Sequence, residues 1–239
     1  MTGHSVERLP RAVVRPGSIE DVVRVVGYAN RHGLPLAMRG RGHCAYGQAQ
    51  VHRGIVIDSS TLKRMHWDGR EFTVEAGALW EDVARETLSK GQIPPVMPDM
   101  LLLSVGGTLS SGGIGEMSFR RGAQVDHVKA LDVVTGTGDL VSCSPSRNTE
   151  LFHMTLAGMG QCALIVAARL QLAAAPAEIA VRRLIYKDVD DLLSDAATLA
   201  TSGAVDTIGA ELTTTPAGWS LEAPRRFVSL RARKLCQSD

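Results

Sequence analysis

Residues 38–48 read MRGRGHCAYGQ, and this stretch gathers the groups best able to do chemistry. Gly40, Gly42 and Gly47 let backbone N–H groups approach an anion, because glycine has no Cβ to hold the backbone away. Arg39 and Arg41 add permanent positive charge in a planar form suited to paired hydrogen bonds with phosphate. His43 is the single histidine of the stretch and stands at its tip. These residue types in this order predict a loop that cradles the phosphates of a dinucleotide, with His43 held beside the cofactor.

The elements that must position this loop are legible on both sides of it. An apolar strand over 34–38 runs into it, and a second, Gly54–Asp58 (GIVID), follows it. Ser18 with Asp21 reads as a capping box that opens a helix, and Gly33 closes that helix. Arg64–Trp67 and Thr73–Glu75 read as strands joined at Asp68-Gly69, followed by a helix over Leu79–Lys90. Pro94, Pro95 and Pro98 then forbid regular structure. Ser104–Gly115 (SVGGTLSSGGIG) carries five glycines and predicts a second functional loop. Strands at Val128–Thr135 and Leu140–Cys143, a helix at Thr149–Ala157 and a buried strand at Ala163–Leu172 lead to a boundary at Ala173–Pro176. Beyond it, a strand (Ile179–Tyr186), a helix (Val189–Thr201) and a strand (Thr207–Thr213) are expected. Helices and strands mix without steady βαβ alternation, so the predicted class is α+β: a domain over 6–175 and a partial second domain over 176–239.

Composition removes several functions. The net charge is +1, which gives no general attraction to nucleic acid or to a membrane surface. Aromatic content of 4% is too low for base-stacking platforms. Arg225, Arg226, Arg231, Arg233 and Lys234 cluster near the end and read as a solvated basic tail. Cys44, Cys143, Cys162 and Cys236 form no CxxC pair and no zinc spacing, so neither a metal site nor a disulfide framework is expected. With no signal-like apolar core at the start, the expectation is a soluble cytoplasmic protein with reduced thiols.

The glycine loop does not belong to the nicotinamide type. G-x-G-x-x-G must lie between a strand and a helix, but Gly40, Gly42 and Gly47 have other spacing, and a strand follows them. No G-K-[ST] exists, which removes the Walker loop. Instead, Met38–Gln48 resembles the pyrophosphate loop of the vanillyl-alcohol-oxidase flavoproteins, whose FAD domain is called PCMH-type. Asp99, Leu103–Gly115, Arg120–Gly122, Leu131–Gly138 (LDVVTGTG) and Gly158–Leu170 (GMGQCALIVAARL) are similar, in order and spacing, to cytokinin-dehydrogenase-like members.

The resemblance implies FAD as cofactor, a domain of two small α/β subdomains, and a second α+β substrate domain that is incomplete in this chain. Arg39, Gly40, Arg41 and Gly42 would surround the pyrophosphate, and His43 would hold the flavin through an 8α-histidyl bond. Cys44 stands where the family has serine, and Gln48 would fix the loop or meet the flavin. Ser104, Gly107, Ser110 and Ile114 would line FAD from the second loop, and Ile165 would lie near its adenine. No cysteine falls in 97–104, so a covalent link would be single. Asp99 would take a proton from the substrate. Its setting of Val96, Met97, Pro98, Met100 and Leu101 would raise a carboxylate's pKa, while a loop-bonding aspartate is the plainer reading.

Three functions stay open on this reading. The first is an oxidoreductase that oxidises a C–N or C–O bond of a small molecule by hydride transfer to FAD, with oxygen or another electron acceptor. The second is a truncated flavin-binding protein without turnover. The third is a carbohydrate or aldonolactone oxidase sharing the His43 loop but not the acid at 99. Family members are about twice this length, and the sequence ending PRRFVSLRARKLCQSD does not resemble them.

Overall fold

The computed structural model describes residues 6–210 apart from 183, 185 and 187. The described chain divides into two compact units. One runs to Gly115 and resumes over Ala123–Ala174; the other takes Glu116–Gly122 and the residues from Ala175 onward.

The first unit holds two sheets. β1 (Ala12–Val14), β2 (Leu36–Arg39) and β3 (Ile55–Asp58) make a parallel sheet in the order β1-β3-β2. α1 (Ile19–Arg31) links the first two strands. Ser18 caps it as its sequence predicts: the hydroxyl accepts the Asp21 N–H, and the Asp21 carboxylate accepts the Ser18 N–H. Val22, Val26 and Ala29, spaced by four and three residues, form its buried stripe. By contrast, β2 and β3 are neighbouring parallel strands joined by residues 40–54 with no helix between them. A parallel connection is normally a helix; here the predicted phosphate loop takes its place.

The second sheet is built of β4 (Met65–Asp68), β5 (Glu71–Glu75), β7 (Val128–Thr135), β8 (Leu140–Cys143) and β9 (Ala163–Leu170). Its order is β4-β5-β9-β7-β8, antiparallel throughout. β5 alternates as a half-buried strand should, with Phe72 and Val74 fully enclosed between partly exposed neighbours. β9 is central and covered on both faces, which explains its near-continuous apolar sequence. Ile165 joins a core with Trp80, Val105, Leu109 and Phe152, whereas Val166 packs with Val22, Val26 and Ile57. The first of these cores is roofed by α2 (Trp80–Leu88), α3 (Val105–Ser111) and α5 (Thr149–Thr155).

Three expectations change. The glycine-rich stretch 104–115 is not all loop, since its first part is α3. Val105 and Leu109, at i and i+4, are fully buried. The Val105 and Gly106 N–H groups donate to the Ala78 and Ala76 carbonyls at 2.9 and 2.8 Å, which fixes the first turn despite two glycines. The Ser110 and Ser111 hydroxyls bond back to the Gly106 and Gly107 carbonyls. At the boundary expected at 173–176, where the first unit ends with Ala174, β10 (Ala173–Ala174) pairs with β6 (Gln92–Ile93). Within the second unit, α4 (Ser118–Arg121) places Arg120 against the Val205 carbonyl and the Asp206 carboxylate. α6 (Val189–Ser202) is capped by Asp188 and buries Leu192 against Tyr186, Leu199 and Ile208. The strand expected at Ile179–Tyr186 is not formed among its described residues. Apolar alternation alone does not make a strand without a neighbouring ladder to pair with. Of the expected strand Thr207–Thr213, residues 207–210 are irregular, and 211–213 lie outside the described residues, as do the basic cluster and Cys236.

Candidate functional site

A cavity of about 520 Å³ opens in the first unit between the glycine loop, α3, and the entry to β9. Each wall has a local cause. β2 delivers the loop at Arg39, whose carbonyl accepts a 3.1 Å hydrogen bond from the Ser59 hydroxyl. The short 3-10 turn that carries Ser59 is capped by Asp58, the last residue of β3. The Asp58 carboxylate accepts the Ser60 N–H at 3.1 Å and pairs with Arg15 Nε at 3.1 Å. Partial burial pushes the Asp58 carboxyl up, but the Ser60 hydrogen bonds and Arg15 outweigh it and hold it below the usual carboxylate range. The turn after β3 thus ties down the start of the loop.

Two glycines of the loop are in places where a side chain would meet a neighbour. Gly40 packs on α3 so closely that a Cβ would collide with Ser104 Oγ and stand 3.1 Å from Ser104 Cβ. Gly42 has φ +75°, and a Cβ there would lie 2.8 Å from Arg39 Nε. The Arg39 guanidinium therefore braces the turn at Gly42, and Arg39 does not line the cavity.

The structure brings most of the predicted site together. Gly40, Arg41, Gly42, His43, Cys44 and Gln48 line the cavity from the loop. Ser104, Gly107, Ser110 and Ile114 line it from the opposite side, and Ile165 from β9. Asp99 stands apart: its neighbour Pro98 lines the cavity, but Asp99 does not, and it is exposed. The apolar enclosure expected around it is also missing on one side, where Met100 is 48% exposed.

Sequence reasoning missed part of the wall. Tyr46 and Ala49 line the cavity from the same loop, and Met159, Gly160 and Gln161 from the turn before β9. The latter had a signal in Gly158-Met159-Gly160. Met159 and Ala157 take left-handed φ of 54° and 55°, uncommon for residues with side chains. Their N–H groups donate to the Ser110 and Leu109 carbonyls at the end of α3, which holds the turn against the cavity.

The lining has a definite chemical character. Arg41 and His43 contribute the basic groups, Tyr46, Ser59, Ser104, Thr108, Ser110 and Ser111 the hydroxyls, and no Asp or Glu is among the lining residues. Leu36, Met38, Leu164 and Ile165 add apolar surface. Gln48 Oε1 is buried without a hydrogen-bond partner among the described residues. A long ligand that is anionic in one part and flat and apolar in another fits such a surface, and FAD has that form. Among the described residues no cluster of His, Cys, Asp or Glu suits a metal ion.

The chain is similar in sequence to known proteins. A family model described as FAD binding domain matches residues 10–144, more than half of the chain's 239 residues. The chain belongs to the FAD-binding family of PCMH type. It is 41% identical over 195 residues to the uncharacterized oxidoreductase ORF5 of the fasciation locus of Rhodococcoides fascians, covering 81% of this chain and 44% of the relative. It is 39% identical over 195 residues to cytokinin dehydrogenase 9 of Oryza sativa subsp. japonica, covering 78% of this chain and 37% of that protein. The chain therefore spans less than half the length of these relatives. In fold it is similar to 6-hydroxy-D-nicotine oxidase of Arthrobacter nicotinovorans, with a TM-score of 0.82 and 22% identity, over 97% of this chain and 51% of that one. No helix among the described residues is long and apolar enough to cross a membrane.

Proposed function

We propose that the chain binds FAD in this cavity and serves the oxidation of a C–N or C–O bond of a small molecule in the cytoplasm, with FAD attached through His43. The supporting observation is the lining: basic and hydroxyl groups on the glycine loop and α3, apolar side chains on β2 and β9, and no carboxylate. When bound, FAD supplies the acceptor for the substrate's hydride, and oxygen or another acceptor takes the electrons on. The protein's part is placement. Arg41 and the backbone of Gly40–Gly42 neutralise and orient the pyrophosphate. Ser104 and Ser110 meet the cofactor from the facing side, and Gln48 offers its unpaired oxygen as an acceptor. His43 lines the cavity from the tip of the loop, where a bond to the cofactor would be made. Asp99 takes the substrate's proton.

The deciding experiment is acid precipitation of the purified protein. Yellow colour stays with the polypeptide and is lost in His43→Ala; complete loss of flavin from the native protein refutes the covalent bond. The exposure of Asp99 favours a second reading, a chain that binds FAD without turnover. Turnover of amines or alcohols with an artificial electron acceptor separates the two.

A further inference from the structure

Behind the cavity wall lies a polar side chain that no part of the scheme above uses. Gln124 opens the 3-10 turn Gln124–His127 and is 2% exposed. Neither its Oε1 nor its Nε2 has a hydrogen-bond partner among the described residues. A primary amide offers two donors and two acceptor sites, and burying all of them unpaired is costly. A methionine fills similar space without that cost. Packing alone therefore does not account for glutamine here.

Its position gives the amide a use. The Gln124 N–H donates to the Gly113 carbonyl at 2.7 Å, and the Val125 N–H to the Gly112 carbonyl at 3.3 Å. The side chain lies across Gly113: a Cβ there would stand 2.7 Å from Gln124 Cβ and Cδ and would collide with Oε1. Gly113 also lines the cavity, as does Ile114, which is 78% exposed. The amide thus touches the back of a glycine whose other side bounds the ligand space. Gly112 and Gly113 have φ of 99° and 69°, and a Gly-Gly pair lets the intervening peptide groups turn at little steric cost.

We infer that Gln124 is a positioning residue for the cofactor, its amide reserved for the hydrogen bonds that fix the Gly112–Ile114 wall once FAD is seated. Nε2 donates to, and Oε1 accepts from, the peptide groups of that wall. The inference rests on the FAD reading of the cavity.

The test uses flavin-free protein with Gln124→Met and Gln124→Glu. Thermal unfolding is followed without FAD. FAD is then titrated by prompt quenching of tryptophan fluorescence, ahead of any covalent step. Gln124→Met is expected to melt at or above the wild-type temperature, because it removes an unpaired amide, and yet to bind FAD about tenfold more weakly. Gln124→Glu is expected to bind FAD nearly as well as wild type at low pH, where the neutral acid can donate and accept, and to lose affinity as pH rises. Unchanged FAD affinity in Gln124→Met overturns the role, and so does a pH-independent affinity in Gln124→Glu. Failure of the wild-type protein itself to bind FAD overturns the cofactor reading, and this inference with it.

Discussion

Gly40→Ala probes the contact between the two walls of the cavity. The new methyl group collides with Ser104 Oγ. Forcing one carbon into a packed site costs about 1–3 kcal/mol. Alanine also restricts the unfolded chain, which returns about 0.4–1 kcal/mol where the native φ suits it. The net expectation is a loss of about 1–2 kcal/mol. Ser104 precedes α3, but its side chain makes no capping hydrogen bond. Ser104→Ala alone should therefore cost less than the ~1 kcal/mol of a working N-cap. In the double variant the offending oxygen is gone, and only a tight 3.1 Å contact to Ser104 Cβ is left. Stability should recover, with a coupling of about 1 kcal/mol or more between the two positions. Urea unfolding of flavin-free protein reads this directly. Gly40→Ala lowers the midpoint by roughly 0.5–1 M at unchanged slope, and the double variant restores it. FAD affinity should not return with stability, since Gly40 and Ser104 both face the ligand. Additive losses, with a double variant as unstable as the sum of the singles, would refute the proposed packing of the loop on α3.

Trp80→Phe removes the buried 2.8 Å hydrogen bond from Trp80 Nε1 to Thr108 Oγ1 and leaves unfilled space. It should cost about 1–3 kcal/mol in urea unfolding. Asp58 has its carboxyl held low in the folded state, so its stabilising contribution is complete above the unfolded value of about 3.9 and is lost as pH falls through the lower folded value. Asp58→Asn should reduce stability at neutral pH and flatten the acid side of the stability profile; an unchanged profile argues against the Ser60 and Arg15 contacts. Asp99→Asn should slow amine or alcohol oxidation about 100-fold or more if Asp99 takes the substrate proton. A normal rate removes it from the mechanism.

The parts of this molecule that showed in the sequence are those whose causes are local. Ser18 with Asp21 announces a capping box, and the structure contains one. Gly69 turns β4 into β5 as a two-residue hairpin connection would. Residues 38–48 were readable because each chemical group sits on the loop that uses it. α3 was hidden because its helix depends on distant partners. The Ala76 and Ala78 carbonyls and the indole of Trp80 organise residues whose composition favours a loop. The environment of Asp99 was misjudged for a related reason: apolar neighbours in sequence do not ensure enclosure in space. Gln124 left no trace in the pattern, since only three-dimensional packing shows that its amide is unpaired.

The order of strands in the larger sheet bears on how the protein comes into being. β9, the central strand, is made after its neighbours β5 and β7. Until residue 170 has left the ribosome, two separate hairpins wait, each with an open edge able to pair with another chain. The closing strand also carries Ala163, Leu164 and Ile165, which form part of the cavity wall. Sheet closure and completion of the cofactor's seat are then one event. The cavity is therefore incomplete in a partly made chain, and its completion coincides with the disappearance of the aggregation-prone edges.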